Sequence, residues 1–196
     1  MAARRRAGFT IIEVLLAIGL IGLVLANISM LLRSSASAYS VGASATELDL
    51  QADRTLDRIA LAIMGASAGS LNPTQQAPFF TPSLDFQQNL GVARGEVVYG
   101  APERISFVVE DGVVTWRENP GQESERLVVW TRWVRDFLAG EVPNGVDDNG
   151  NGLIDERGLA FTLEGNLVTI RLTLERPGPD GRLLTEFRET SVTCRN

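Results

Sequence analysis

Residues 144–156, NGVDDNGNGLIDE, are the one part of the C-terminal two thirds of this sequence with a chemical signature. Asp147, Asn149 and Asn151 alternate, Gly152 follows at the sixth position counted from Asp147, and Asp155 and Glu156 close the run. Oxygen ligands at positions one, three and five, a glycine for the sharp turn, and a backbone carbonyl at position seven, here Leu153, form the first half of an EF-hand loop. Position twelve, where a full EF-hand places a bidentate Glu, is Gly158. The closing acids stand instead at positions nine and ten, as in shorter DxDxDG calcium loops. The expectation is a structural calcium site made by Asp147, Asn149, Asn151, Leu153, Asp155 and Glu156. It would be weakened by having Asn at two of its three early positions. The competing reading is a surface turn rich in Asx and Gly.

A second residue with chemical potential is Glu13, because it lies inside an apolar run. Residues 9–32 are long enough, at about 1.5 Å per residue, to cross the roughly 30 Å of a bilayer's hydrocarbon. A carboxylate there is expensive and is a functional hypothesis by default. The bland alternative is that Glu13 reaches back to the nearby headgroups.

Other chemistry is thinly supplied. All 18 basic residues are arginine, and histidine is absent, which removes the commonest general base and the commonest zinc ligand. The single cysteine, Cys194, excludes an internal disulfide and reads as buried and inert. A net charge of −6 with no basic face argues against nucleic acid as a partner. Carboxylate chemistry stays open, although nothing places two acids across a cleft.

The elements that carry these residues can be read from periodicity. Arg4, Arg5 and Arg6 precede the apolar run, and the positive-inside rule keeps the N-terminus in the cytoplasm and sends the remainder across. Beyond residue 32, Leu48, Ala52, Leu56, Ile59, Ala60 and Ile63 recur at helical spacing with charged residues on the opposite face. With no proline between Phe9 and Leu71, the two stretches predict one helix from about Phe9 to about Met64, with Gly65 or Gly69 as its stop. Residues 71–92 lack periodicity and read as an irregular connection. Hairpins are expected around Asp111-Gly112 and around 164–166, a strand in RLVVWTRWVRDF, and a last strand in LLTEFRETSVT. Phe107, Trp116, Trp130, Trp133, Phe161 and Phe187 read as core and cross-strand packing. The fold class is therefore α+β, with a long helix, first transmembrane and then amphipathic, packed on an antiparallel β head.

The string Gly8-Phe9-Thr10-Ile11-Ile12-Glu13, with its basic leader and apolar continuation, resembles the prepilin processing motif of the type IV pilin superfamily. The resemblance is specific over the first third of the chain and only architectural beyond it, where it points to the larger minor pseudopilins of type II secretion systems and the larger minor type IV pilins. Bulk filament subunits usually carry a proline midway along the apolar half, where this chain has Gly19 and Gly22.

The resemblance implies cleavage between Gly8 and Phe9 by a prepilin peptidase, N-methylation of Phe9, and pairing of Glu13 with the Phe9 amine of a neighbouring subunit. It divides the chain into a leader 1–8, a membrane and assembly segment 9–32, an amphipathic segment 33–69, and a head 70–196 with the acidic loop at 147–156. Implied partners are prepilin peptidase, other pilins in a filament, the inner-membrane assembly platform and membrane lipid. The rival reading is a single-span anchored, calcium-dependent adhesin or carbohydrate-binding module. A tethered hydrolase using only Asp and Glu is a third.

Overall fold

The computed structural model describes residues 10–195. Among the described residues one helix, α1 (Ile11–Met64), is followed by a short 3-10 turn and eight strands. The chain divides into two units, Met1–Ala43 and Ser44–Asn196, and α1 contributes to both.

In the first unit α1 is apolar on all sides, with Ile11, Leu15, Leu20, Leu25 and Leu31 all exposed. A helix that is hydrophobic all round belongs in a core or a membrane. This one has no core around it, and it is long and apolar enough to span a bilayer.

The second unit begins where the pattern becomes one-sided. Leu48, Ala52, Leu56, Ile59 and Ile63 are buried, as the three- and four-residue spacing predicts, Ala60 is partly buried against the same core, and Thr55 is buried beside them. The helix ends against strand β2 (Ser83–Ala93). Gln88 Nε2 donates to the Ala62 carbonyl at 3.0 Å and the Asn89 amide to the Gly65 carbonyl at 2.9 Å, so two orphan carbonyls of the last turns gain donors. A Cβ on Gly65 would displace the end of the Gln88 side chain, and with it the hydrogen bond to the Ala62 carbonyl.

The antiparallel β head consists of two sheets. The first is a meander of β2, β3 (Glu96–Val108), β4 (Val113–Glu118) and β5 (Arg126–Thr131), in that order. The second orders β1 (Phe80–Thr81), β6 (Leu159–Glu164), β7 (Leu167–Pro177) and β8 (Leu183–Thr193). Leu84, Phe86, Ile105, Phe107 and Val114 from the first sheet and Leu159, Phe161, Leu163, Ile170 and Leu172 from the second join the buried face of α1 in one core.

Both expected hairpins form, closing at Val108↔Val113 and Glu164↔Leu167. The irregular connection assigned to residues 71–92 is corrected by β1 and β2, and in β2 the buried Leu84 and Phe86 alternate with half-buried Ser83, Asp85 and Gln87. Its turn, Arg94-Gly95, has positive φ at both residues (55° and 87°), the geometry of a tight two-residue hairpin, but Arg at the first position hides it from a search for Asn-Gly or Asp-Gly. Phe107 and Phe161 are buried and Trp116 stacks on Trp130 at 6.3 Å between ring centres. Trp133 and Phe187 are 48% and 41% exposed and leave the aromatic core. Trp133 lies two residues past the end of β5, at φ 69°.

Candidate functional site

Two regions carry the candidate residues, one in each unit. Gly8 and Phe9, the expected processing pair, lie outside the described residues. Glu13 lies in the first turn of α1. Its carboxylate folds back on Thr10, the residue just before the helix. The Thr10 amide and hydroxyl both donate to Glu13 Oε2 at 3.0 Å, and the Glu13 amide donates to Thr10 Oγ1 at 3.3 Å. This is a reciprocal capping box, Thr at the N-cap and Glu three residues on, which supplies partners to the free amides of a helix start. Deeper in the apolar segment, Asn27 Nδ2 donates to the Leu23 carbonyl at 2.8 Å.

The acidic loop joins the short loop after β5 to β6. The Asp147 carboxylate gathers main-chain amides of the loop. Its Oδ1 accepts the amides of Gly150 and Asn151 at 2.7 and 3.2 Å, and its Oδ2 that of Gly152 at 2.8 Å. Gly150 and Gly152 have φ of 75° and 87°, which lets the chain coil around that carboxylate. Asn149 and Asn151 converge on Glu156, their Nδ2 groups donating to its Oε2 at 3.3 and 2.6 Å.

Leu153 is buried and its amide donates to Asn151 Oδ1 at 2.9 Å. Asp155 turns the other way. Its carboxylate accepts the amides of Asn144 and Gly145, at 3.1 and 3.0 Å, so it closes the entry to the loop rather than joining Asn149, Asn151 and Glu156.

Two residues outside the expected set complete the arrangement. Glu141, 1% exposed, accepts the Asn149 amide on Oε1 and the Asp155 amide on Oε2, each at 3.2 Å. Burial pushes its carboxyl above the usual glutamate range, against the lowering effect of those two amides, and nearby Glu156 and Asp148 push it further up. Arg171 of β7 lies 3.4 Å from the wholly buried Glu156. Spacing gave no signal for either residue, because Glu141 precedes the motif and Arg171 comes from another strand. Thr10 was missed as a cap although a signal was there, since T-x-x-E before an apolar run is a capping-box signature.

The oxygens gathered here, from Asp, Asn, Glu and main-chain carbonyls, match what calcium takes as ligands. Among the described residues no three acidic, histidine or cysteine side chains converge on one point that would hold a metal ion. The amide oxygens of Asn149 and Asn151 accept the main-chain amides of Asn151 and Leu153, at 3.0 and 2.9 Å.

Residues 3–26 match the family model described as the prokaryotic N-terminal methylation motif, a span that includes Gly8, Phe9, Thr10 and Glu13. No curated protein sequence and no solved structure matches the chain. The motif implies processing by a prepilin peptidase and assembly with other pilins, and the apolar helix that follows it fits a single-pass membrane anchor. Methylation motif, membrane-length helix and α+β layout together make this chain consistent with a type IV pilin-like protein that carries a prepilin-type N-terminus.

Proposed function

We propose that the chain is a minor pseudopilin or minor pilin, a non-enzymatic subunit of a type II secretion pseudopilus or a type IV pilus. Prepilin peptidase cuts before Phe9, the retained helix anchors the subunit in the inner membrane with its N-terminus in the cytoplasm, and the β head faces the periplasm. The assembly platform and the other pilins of the filament then take up the subunit through this helix. The observation that supports this reading most strongly is the prepilin-type motif running without interruption into the apolar half of α1, with an acid in its first turn. In hydrocarbon the carboxylate needs a partner, and the amine freed at Phe9 of a neighbouring subunit is a cation of the right sign at the right depth.

The acidic loop supports a structural calcium site. Asp147, Asn149, Asn151, Glu156 and the Leu153 carbonyl would hold the ion. When bound, the ion supplies positive charge beside two buried carboxylates and fixes a loop that has little core of its own.

The test is Glu13→Ala in the full chain, expressed with its filament machinery. Membrane insertion is expected to be unchanged or improved, and incorporation into sheared filaments to be lost. Wild-type incorporation of that variant would refute the role given to the acid.

A further inference from the structure

Of the nine asparagines in the sequence, three precede a glycine, and all three, Asn144, Asn149 and Asn151, lie in the acidic loop. Glycine after asparagine is the pairing that most readily closes to a succinimide, because no side chain shields the glycine nitrogen from the asparagine Cγ. The nitrogen bonds to Cγ, the Cγ–Nδ2 bond breaks, and Nδ2 leaves as ammonia with the proton that the glycine amide loses. Water then opens the ring at either carbonyl, giving aspartate or iso-aspartate. Only water is consumed, and all six residues of the three pairs are exposed to it.

In the folded loop each of the three attacking nitrogens is engaged. The Gly150 amide donates to Asp147 Oδ1 at 2.7 Å and the Gly152 amide to Asp147 Oδ2 at 2.8 Å. The Gly145 amide donates to Oδ1 and Oδ2 of Asp155 at 3.2 and 3.0 Å. The asparagine side chains are pinned as well. Asn144 Nδ2 donates to Asp148 Oδ2 at 2.9 Å, and the Nδ2 groups of Asn149 and Asn151 donate to Glu156 Oε2. Their Oδ1 atoms accept the amides of Val146, Asn151 and Leu153 at 2.8, 3.0 and 2.9 Å. An N–H bound to a carboxylate keeps its proton and its direction, so attack on Cγ has to wait for the loop to open locally.

We propose that this loop is a non-enzymatic modification site, at which Asn144, Asn149 and Asn151 convert to aspartate and iso-aspartate, and that Asp147 and Asp155 guard it by holding the three glycine amides. Asp147 covers Asn149 and Asn151, and Asp155 covers Asn144. Reaction at Asn149 or Asn151 also changes the packing of the loop. It exchanges a donor to Glu156 for an anion, and the Glu156 side chain is wholly buried. Two carboxylates facing each other there are costly, so the modified loop is looser than the original.

The experiment incubates the full chain in detergent micelles at mildly alkaline pH, with chelator present so that no metal occupies Asp147. Peptide mapping follows each asparagine, and electron-transfer fragmentation separates iso-aspartate from aspartate. Wild type, Asp147→Ala and Asp155→Gly are compared, glycine being chosen because Asp155 has φ 52°. Denatured wild type supplies the unguarded rates. Folded wild type should react at least about tenfold more slowly than the denatured chain at all three asparagines, the scale of a hydrogen bond to a charged group. Asp147→Ala should speed Asn149 and Asn151 about tenfold and leave Asn144 within about twofold of wild type, and Asp155→Gly should do the reverse. Asn151→Asp, the aspartate product at that position, should melt below wild type in chelator.

Equal rates in folded and denatured wild type, a rise at all three asparagines in either variant, or unchanged rates in both would overturn the guarding role. Wild-type melting of Asn151→Asp would overturn the consequence assigned to the modification.

Discussion

The guanidinium of Arg171 lies 3.4 Å from the carboxylate of Glu156, whose side chain is wholly buried, and so ties strand β7 to the acidic loop. The same arginine reaches Glu189 of β8 at 2.6 Å and the Thr162 hydroxyl of β6 at 3.1 Å. Removing one member of a buried pair strands the other charge, which is more destabilising than the pair is stabilising. Arg171→Met is expected to lower the unfolding free energy by about 3 kcal/mol. Urea titration followed by tryptophan fluorescence measures this, and a loss below about 1 kcal/mol, typical of an exposed pair, would show that Glu156 finds compensation elsewhere.

Calcium linkage isolates the loop from the rest of the head. Ligands that bind only the folded state raise its apparent stability by mass action. Asp147→Ala should lower the melting temperature in millimolar calcium and have a much smaller effect in chelator. Equal shifts in both media would assign Asp147 to the turn alone, through the three amides it accepts.

Glu141 makes the head's stability depend on pH in an identifiable direction. Its carboxyl is raised in the folded state, first by burial. Between the ordinary glutamate value and the raised one, the folded state binds more protons than the unfolded chain, so stability falls as pH rises through that window. In chelator, the difference in stability between the native protein and Glu141→Gln should shrink as pH climbs from below the ordinary glutamate range toward neutrality. Denaturant titrations at a series of pH values test the slope, and a difference that grows with pH would contradict the burial assigned to this carboxyl.

Gly158 permits the contact that brings the loop after β5 onto β6. Its amide donates to the Asp136 carbonyl at 3.1 Å, its carbonyl accepts the Thr173 amide at 2.7 Å, and a Cβ there would overlap the Arg135 carbonyl. Gly158→Ala is expected to cost more than Ile59→Ala, a core truncation worth about 2 to 5 kcal/mol, because backbone rather than a flexible side chain must move. Thermal melts of the two variants rank them, and a near-neutral Gly158→Ala would mean that this approach is not obligatory.

Periodicity made the long helix legible because each half buries or exposes itself in a regular way. The uniform apolar run to Leu32 and the one-sided pattern of Leu48, Ala52, Leu56, Ile59 and Ile63 are both local properties of sequence. Hairpins with Asp-Gly or Gly-Asn turns were equally plain. Strand β2 was hidden because its turn is Arg94-Gly95 and its outer half, past bulges at Asn89 and Gly91, loses the alternation that marks a strand.

The division of the head into two sheets depends on long-range pairing, such as Phe80 with Thr162, which no short window contains. The candidate sites divide in the same way. Asp147, Asn149, Asn151 and Glu156 could be found from spacing, whereas Glu141 and Arg171 enter through tertiary packing. Cys194, read as buried and inert, is buried, and burial pushes its thiol up to about 11.

The account stands on processing of the N-terminus, and intact-mass and N-terminal fragment spectrometry of the native protein tests it most directly. It predicts a chain that begins at Phe9 with a methylated amine and lacks residues 1–8. A mature protein that keeps Met1 and its three leader arginines would contradict it and leave a membrane-tethered β head.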